Sequence, residues 1–524
     1  MHITLIGADD TLWATGTRSI SASLRKAGHE TTMVFVGEPK VPLSESIIRE
    51  IAVLAKDSEI IGVSSMSRAC KRARTLLEGL RPLGKLLVWG GMHPTLYPQD
   101  CTPYADLVCR GEGEGFMIDL AERVAAGTEV TDIPNAAYLS DGRTVLNDLR
   151  PLVADLDILP LPSFDFENEH ALNAAGALLP NTQMREDDMI LFSGSRGCNN
   201  SCTYCANSKL KSMYRGMGPY ARKMSVPRFV DAAGECRRLF PHAKEAFYID
   251  EDFFDRPPEQ MKELAETYPG RVGLPFRCMA CPRQVSEEKV ALAARAGMWQ
   301  VAIGLESGSE RTRREVFNRH VDDVTQMRAA TTVNAHGGVN AVYFLIIGNP
   351  YETRQDLLDG VRALQQMPFP FSLSIYNLVL LPGTKLFDRA LQDGIIKGAD
   401  DSACNLDYLA GFNHKEHEWK RRELHLNSLI SLMSGRFTRR WMGSVPRMLV
   451  PLLTSPRVVD FCERHPLTSE TLVALAKFRL RLRQGLLLPV ATLIRGRRIA
   501  RGRGPLPGQP PEPSGKAVAD AKSI

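Results

Sequence analysis

The stretch Ser195-Arg196-Gly197-Cys198-Asn199-Asn200-Ser201-Cys202-Thr203-Tyr204-Cys205 carries three cysteines in one short run. Soft thiolate ligands suit iron–sulfur clusters, and three of them can hold three irons of a [4Fe–4S] cube. The fourth iron is then left without a protein ligand, and an open metal position is where a small molecule can bind and react. The alternatives are a zinc site or unrelated buried thiols, but zinc normally takes four closed ligands and no fourth Cys or His lies close by. The apolar residues 189–192 before the run predict a buried strand that leads into this loop.

This run resembles the cluster motif of the radical S-adenosylmethionine (SAM) enzymes, including the aromatic Tyr204 just before the last cysteine. In that family SAM binds the open iron through its amino and carboxylate groups. One electron from the cluster then splits SAM into methionine and a 5′-deoxyadenosyl radical. The resemblance implies Cys198, Cys202 and Cys205 as the cluster ligands and Tyr204 as part of the SAM site.

Length and composition predict a globular chain of two or three domains. The chain has 524 residues, of which 44% are hydrophobic and 24% charged. Residues 2–7 lead directly into a strand with no secretory signal, and no apolar run reaches the roughly 18 residues that span a bilayer. Eleven cysteines without an export signal favour a reducing compartment, so we predict a cytoplasmic protein without disulfides.

Charge is distributed unevenly along the chain. Residues 411–524 hold 21 Lys and Arg against 8 Asp and Glu, whereas the whole chain has a net charge of only +5. A basic C-terminal third suggests an acidic partner such as anionic lipid, and hence peripheral contact at the inner membrane face. The alternative is a solvated helical surface that ends in a disordered basic tail. No nucleic-acid partner is expected.

Residues 1–150 form the first predicted domain. Strands and helices alternate from residue 1 to about 126, which predicts a doubly wound parallel sheet, and 135–150 predict a hairpin that turns at Asp141-Gly142. Ligands of such sheets bind at the carboxyl ends of the strands. The loops 62–67 and 90–95 fall at those ends, and their glycines allow a ligand to approach the backbone closely.

This region resembles the cobalamin-binding domain found in front of many radical SAM enzymes. The matching stretches are 61–65, 89–95 and 105–114. The resemblance implies the following cobalamin-binding candidates: Ser64, Ser65, Gly90, Gly91, His93, Gly111 and Glu112. The loop at 9–16 lacks the histidine that ligates cobalt from below in other cobalamin domains, so His93, on a later loop, is predicted near the nucleotide tail instead. The alternative is a Rossmann-like (dinucleotide-binding type) fold that binds nothing.

The rest of the chain divides into four predicted parts. Residues 151–188 are proline-rich and predict an irregular linker, and 189–400 repeat strand and helix six times, which fits the partial (βα)6 barrel of the radical SAM family. Residues 401–500 predict a mostly helical region, and 501–524 a disordered basic tail. The predicted barrel strands are Met189–Ser193, Ala246–Ile249, Val272–Phe276, Val301–Leu305, Val342–Ile347 and Leu373–Leu380. Two apolar stretches of the C-terminal region, 445–453 and 486–494, could lie on a membrane or form the core of a small capping domain.

Polar residues at the ends of the barrel strands are the remaining SAM candidates. By resemblance they are Asp250 and Glu251 beside the amino group, Glu306 and Ser307 near the ribose, and Gly348 beside the adenosine. Taken singly, each acidic residue is more often a helix cap or a solvated charge.

Two further groups of residues carry weaker signals. Cys278 and Cys281 form a second CxxC that lacks a third adjacent cysteine, so both are interpreted as packed thiols, with Cys278 pointing towards the substrate as the alternative. His414, His417 and His425 lie among charges and predict an exposed helix rather than a ligand set.

Together the two resemblances point to a cobalamin-dependent radical SAM enzyme that methylates an unactivated carbon of a natural product or lipid. In this reaction the substrate radical takes a methyl group from methylcobalamin, which a second SAM regenerates. The implied cofactors are a [4Fe–4S] cluster, SAM and cobalamin, with flavodoxin or ferredoxin as electron donor. One alternative keeps the cofactors but performs a cyclisation or rearrangement, and another is a non-catalytic cobalamin-binding sensor.

Overall fold

The computed structural model describes residues 1–9, 13–37, 41–181, 188–398, 423–467 and 471, and its first part is a nine-stranded sheet with helices on both faces. The strand order is β7-β6-β5-β4-β3-β1-β2-β8-β9, and the six strands from β5 to β8 in this order run parallel. The strands are β1 His2–Gly7, β2 Glu30–Phe35, β3 Ile60–Ser64, β4 Leu86–Gly90, β5 Leu107–Cys109, β6 Ala136–Ser140, β7 Arg143–Leu146, β8 Glu169–Leu172 and β9 Leu178–Pro180. The helices are α1 Thr15–Lys26, α2 Glu45–Ala55, α3 Cys70–Leu80, α4 Met92–Leu96 and α5 Glu114–Ala126.

Buried apolar side chains cover both faces of this sheet. One cluster packs α2 and α3 against one face, and another packs α1 and α5 against the other. The central strands are therefore apolar along their whole length, which is the pattern expected of parallel strands that are buried on both faces. The predicted doubly wound sheet is confirmed.

The second part is a nine-stranded sheet whose first six strands run parallel in the order β10-β13-β14-β15-β16-β17, and this confirms the six predicted βα units. The strands, including a separate β11–β12 pair, are β10 Met189–Phe192, β11 Ser195–Arg196, β12 Arg222–Lys223, β13 Glu245–Tyr248, β14 Phe276–Ala280, β15 Met298–Glu306, β16 Asn340–Ile347, β17 Phe371–Asn377, β18 Gly435–Phe437, β19 Trp441–Met442 and β20 Val445–Pro446. The helices are α6 Ala206–Met213, α7 Val226–Leu239, α8 Pro258–Arg271, α9 Glu287–Ala296, α10 Asp323–Ala335, α11 Arg354–Gln366, α12 Lys385–Gln392, α13 Leu424–Leu432, α14 Val450–Leu453 and α15 Pro456–Arg464.

The C-terminal region adds strands to the barrel sheet as well as helices. β18, β19 and β20 extend the sheet antiparallel from β17, while α13 and α15 pack nearby. The stretch 445–453 is thus only partly helical. His425 is buried in α13 and its Nε2 lies 2.9 Å from the Leu453 carbonyl oxygen, so the predicted exposed position is wrong for this histidine. His414, His417, the stretch 486–494 and the basic tail lie outside the described residues.

Two predicted segments differ in the structure. The segment 151–181, predicted to be irregular, contributes β8 and β9, because β8 pairs with β2 and thereby covers an edge that would otherwise be open. The third barrel strand begins at Phe276 instead of ending there, since α8 continues through Pro269 to Arg271 and Gly273, with φ +65°, turns the chain. None of the helices in the described part of the chain is both long enough and apolar enough to cross a membrane.

Candidate active site

The cysteine run forms the loop between β11 and α6, and its shape depends on Gly197. This glycine has φ +79°, and a Cβ atom there would lie 2.3 Å from the Tyr220 carbonyl oxygen, so only glycine fits. Cys202 is buried, whereas Cys198 and Cys205 are half-buried. Burial, Glu251 and the neighbouring thiols together raise the pKa of Cys205 to about 12. The neighbouring thiols thus disfavour ionisation of Cys205, and ligation to iron would release its proton.

The cysteine loop is held by the segment that follows β15. The Thr203 N–H donates to the Phe317 carbonyl oxygen at 2.9 Å, and the Thr203 hydroxyl donates to the Val316 carbonyl oxygen at 2.6 Å. Asn318 Nδ2 donates to the Ser201 carbonyl oxygen at 2.9 Å. Three hydrogen bonds therefore hold the loop against the barrel.

Of the two acidic candidates after β13, Glu251 faces the cysteine loop. Burial raises the pKa of Glu251, a hydrogen bond from Asn207 opposes this shift, and the charge of Glu251 acts on Cys198 and Cys205. Asp250 is buried and instead accepts a hydrogen bond from the Gly194 N–H at 3.3 Å.

Glu306 ends β15 in the left-handed region, with φ +67°. Such a conformation is costly for a residue other than glycine and is often found at functional sites. Burial raises the pKa of Glu306, while Arg319 and a hydrogen bond from Tyr204 lower it. Tyr204 also packs edge-on against Phe317, with ring centroids 4.7 Å apart. The structure therefore brings two of the predicted SAM residues, Tyr204 and Glu306, into contact.

The other two SAM candidates on the barrel have protein partners. The Ser307 hydroxyl donates to Glu352 Oε1 at 3.0 Å, and the side chain is buried. The Gly348 N–H donates to Asn427 Oδ1 at 3.1 Å. Both residues lie at strand ends as predicted, but these polar groups already bind within the chain.

A cavity of about 330 Å³ lies where the carboxyl ends of the first sheet meet the barrel. Its walls include five of the seven cobalamin candidates, which are Ser64, Gly90, Gly91, Gly111 and Glu112. From the barrel side they include Ser193, Ser195 and Arg196. The cavity thus extends to the residues that immediately precede the cysteine loop.

Ser65 and His93 do not line this cavity, and their inclusion among the cobalamin candidates is not supported by the geometry. Ser65 Oγ accepts a hydrogen bond from Trp89 Nε1 at 2.9 Å. His93 is fully buried, with Nδ1 3.1 Å from Ser67 Oγ and Nε2 2.9 Å from Asp100 Oδ2. Both side chains support the loops from behind.

Ion pairs join the two parts of the molecule at the cavity. Arg222 Nη2 lies 2.7 Å from Glu112 Oε1, and Arg196 contacts both Glu112, at 3.1 Å, and Glu114, at 2.5 Å. Burial would raise the pKa of Glu112, but the two arginines lower it overall. Sequence reasoning missed both arginines. The position of Arg196, two residues before Cys198, was the available signal.

The second CxxC divides into two different environments. Cys278 is buried within β14 with its Sγ 3.5 Å from Met298 Sδ, as a packed thiol. Cys281 instead borders a small cavity together with Cys198, and its Sγ lies 3.7 Å from Arg319 Nη2. Of the two, Cys281 is therefore the one beside the cysteine loop.

Comparison with known proteins agrees with this arrangement. Residues 192–364 match the model of the radical SAM superfamily, and residues 3–121 match that of the B12 binding domain. An uncharacterized methyltransferase of Pyrococcus horikoshii is 26% identical over 362 residues, which cover 66% of this chain and 73% of the relative. The anaerobic magnesium-protoporphyrin IX monomethyl ester cyclase of Rubrivivax gelatinosus is 26% identical over 353 residues, which cover 64% of this chain and 59% of the relative.

A solved structure shares the fold over most of the chain. It is the radical SAM methyltransferase TsrM of Kitasatospora setae with cobalamin and a [4Fe–4S] cluster bound. The similarity has a TM-score of 0.62 at 15% identity, and it covers 75% of this chain and 78% of the other.

Proposed function

Because the chain belongs to the radical SAM superfamily and carries a B12-binding domain ahead of its radical SAM domain, we propose that it methylates an unactivated carbon of a natural product or lipid. The methyltransferase relative of Pyrococcus horikoshii supports methylation over other radical reactions. When bound, the cluster, SAM and cobalamin supply the radical and the methyl group, which no side chain can provide.

The observation that carries this proposal is the shared cavity. The loops that would hold cobalamin and the residues that lead into the cysteine loop line one space, where Glu112 of the first domain and Arg196 of the barrel form an ion pair. A methyl donor held by the first domain would therefore face the region where a substrate radical forms. A cobalamin-binding sensor would have no need for this shared wall.

The residues present fit the implied groups. Cys198, Cys202 and Cys205 would hold the cluster, and Glu251, Tyr204 and Glu306 add polar groups to the same region. Asp250, Ser307 and Gly348 remain proposed members of the SAM site by their positions just after strands β13, β15 and β16. Ser64, Gly90, Gly91, Gly111 and Glu112 would hold cobalamin.

The work of the protein itself is to orient the reactants and to exclude water. An unactivated C–H bond offers no charge for acid–base chemistry, so the side chains act by binding and positioning. The electron must come from outside the chain, and we propose a flavodoxin or ferredoxin as its source.

We propose a cytoplasmic location with peripheral contact at the inner membrane face. Its support in the structure is the exposure of Met448 and Leu452, at 84% and 59%, close to Arg447. Sedimentation with anionic vesicles measures this contact, and absence of binding at low salt would contradict it.

A second candidate reaction is cyclisation without methylation, which the Rubrivivax relative favours. The two reactions differ in how they consume SAM. Methylation yields S-adenosylhomocysteine together with 5′-deoxyadenosine, whereas cyclisation yields no S-adenosylhomocysteine and no methylated product.

The test begins with anaerobic reconstitution of the full chain with iron, sulfide and hydroxocobalamin. We expect a [4Fe–4S] absorption spectrum, and 5′-deoxyadenosine on addition of SAM and a reductant. Cys202→Ala should abolish both, while Cys236→Ala, which removes a buried thiol of α7, should abolish neither. A wild-type chain that holds the cluster but makes no 5′-deoxyadenosine would overturn the proposal and favour the sensor.

The substrate is then sought in cell extracts. SAM with a deuterated methyl group is added to two extracts, one with the wild-type chain and one with Cys202→Ala. Mass spectrometry then compares the two for a compound that has gained one deuterated methyl group only with the wild-type chain. A new unlabelled product accompanied by 5′-deoxyadenosine alone would support cyclisation instead.

A further inference from the structure

One buried arginine outside the predicted site lies between the cysteine loop and the SAM residues. Arg319 follows the π-helical turn Thr312–Val316, and its side chain is 7% exposed. Its Nη1 lies 3.7 Å from Cys202 Sγ, and its Nη2 lies 3.7 Å from Cys281 Sγ. The same Nη2 lies 3.9 Å from Glu306 Oε1.

The position of Arg319 is set by several contacts. Its Nη2 donates to the Gly304 carbonyl oxygen at 2.9 Å. A Cβ atom at residue 304 would lie 3.2 Å from this Nη2 and 2.3 Å from Glu306 Oε1, so the glycine makes room for the pair. The preceding Asn318 is hydrogen-bonded to the cysteine loop through the Ser201 carbonyl oxygen. Because this bond joins the neighbours of Arg319 and Cys202, the guanidinium and the thiol are held together.

Arg319 keeps its positive charge in this environment. An arginine guanidinium does not lose its proton in proteins, and Arg319 has Glu306 as an ion-pair partner. Its Nε–H is buried and has no hydrogen-bond partner within the described part of the chain. The side chain therefore places a permanent cation, with a donor still unused, beside the loop.

We propose that Arg319 donates an N–H···S hydrogen bond to Cys202 when Cys202 ligates the cluster, and that it thereby raises the reduction potential of the cluster. This inference rests on the proposed function. Reduction adds one electron from the external donor and so increases the negative charge on the iron and its sulfur ligands. A buried cation and donor stabilise that charge more than the oxidised state, since hydrogen bonds to the sulfurs and local charge set the potential of such clusters. Arg319 is thus a positioning and tuning residue, and no proton is transferred.

The test is a redox titration of the reconstituted full chain, followed by the electron paramagnetic resonance signal of the reduced cluster. We expect Arg319→Gln to lower the equilibrium constant for one-electron reduction about tenfold, or about 59 mV. Arg319→Lys keeps the charge, and its reduction potential should lie between those of wild type and Arg319→Gln. Arg314→Gln removes an exposed arginine of the same turn, paired with Glu310, and should leave the potential unchanged.

The outcomes separate this inference from the proposed function. A wild-type chain that binds no [4Fe–4S] cluster overturns both. A wild-type chain that binds the cluster while Arg319→Gln keeps the same potential overturns the inference alone. If Arg319→Gln fails to take up iron, the reduction potential of Arg319→Lys tests the inference instead. A potential lower than that of wild type supports the inference, and an equal potential overturns it.

Discussion

The contact between Gly111 and Tyr214 joins the first domain to the barrel at the rim of the cavity, and Gly111→Ala should break it. Gly111 has φ +81°, and a Cβ atom there would lie 1.8 Å from the Tyr214 hydroxyl oxygen. Tyr214 is 3% exposed, so it has little space into which it can move. The substitution therefore combines backbone strain with a steric overlap.

The magnitude follows from these two effects. An L-residue in the left-handed region costs roughly 1–2 kcal/mol. Overpacking a buried contact costs roughly 1–3 kcal/mol. Together they predict a loss of roughly 2–5 kcal/mol in the free energy of unfolding for Gly111→Ala.

The structure supplies a matched control and a rescue. Gly142, in the hairpin turn between β6 and β7, has φ +73°, and a Cβ atom there would meet nothing within 4 Å, so Gly142→Ala carries the strain alone. Adding Tyr214→Phe to Gly111→Ala removes the hydroxyl and leaves Cζ, at 3.0 Å, as the nearest ring atom. We expect the double variant to regain most of the unfolding free energy that the steric overlap removes.

The assay is urea unfolding followed by circular dichroism, together with hydroxocobalamin binding followed by absorbance. Gly111→Ala should unfold at a lower urea concentration than Gly142→Ala and should bind cobalamin more weakly, because Gly111 lines the cavity. Equal urea midpoints for Gly111→Ala and Gly142→Ala, with no recovery of stability on adding Tyr214→Phe, would show that Tyr214 can move away at little cost. That result would refute the reasoning.

Three further predictions address the first domain and the barrel. Glu169→Gln should cost about 3–5 kcal/mol in unfolding free energy, because it removes the carboxylate that the fully buried Arg18 binds through two hydrogen bonds, whereas Glu45→Gln, at an exposed pair, should cost little; similar losses in urea unfolding would contradict this. His93→Gln should leave the absorption spectrum of bound hydroxocobalamin unchanged, since His93 is buried behind the cavity, and a spectral shift would contradict that position. Burial raises the pKa of Glu352 from 4.5 to about 7. The wild-type chain should therefore lose stability as the pH rises from about 4.5 through 7, because the unfolded chain releases this proton more readily. Thermal unfolding at several pH values measures this loss, and Glu352→Gln should lack it.

Much of the fold could be predicted because buried parallel strands are apolar along their whole length. The structure places strands at 189–192, 245–248 and 340–347, close to the predicted positions. The third barrel strand was misplaced because Val272 and Leu274 are buried in the turn before it, and burial outside a strand produces the same apolar pattern as burial within one.

The cavity could be predicted only in part from the order of residues. Ser64 and Ser65 are neighbours in sequence, but the first lines the cavity and the second bonds to Trp89 behind it. Strand side chains alternate between faces, so a motif marks a place in the fold without saying which of its side chains faces the ligand.

Arg222 and Arg319 could not be predicted, because their roles depend on distant partners. Arg319 lies 117 positions from Cys202, and Arg222 lies 110 positions from Glu112. Arginine is common in this chain and carries no motif of its own at these positions. Only the folded geometry shows that these cations reach a cysteine or the opposite domain.

The paired charges at the cavity also change how the acidic motif 112–114 is understood. By resemblance this stretch belongs to the cobalamin domain, yet Glu112 and Glu114 both bind Arg196, which leads into the cysteine loop. One arginine therefore connects the wall of the cavity to the first proposed cluster ligand. Since removing Arg196 would leave the buried Glu114 without this ion pair, the two cofactor sites are stabilised together, and a chain with a disordered cysteine loop would also lose one wall of its cobalamin cavity.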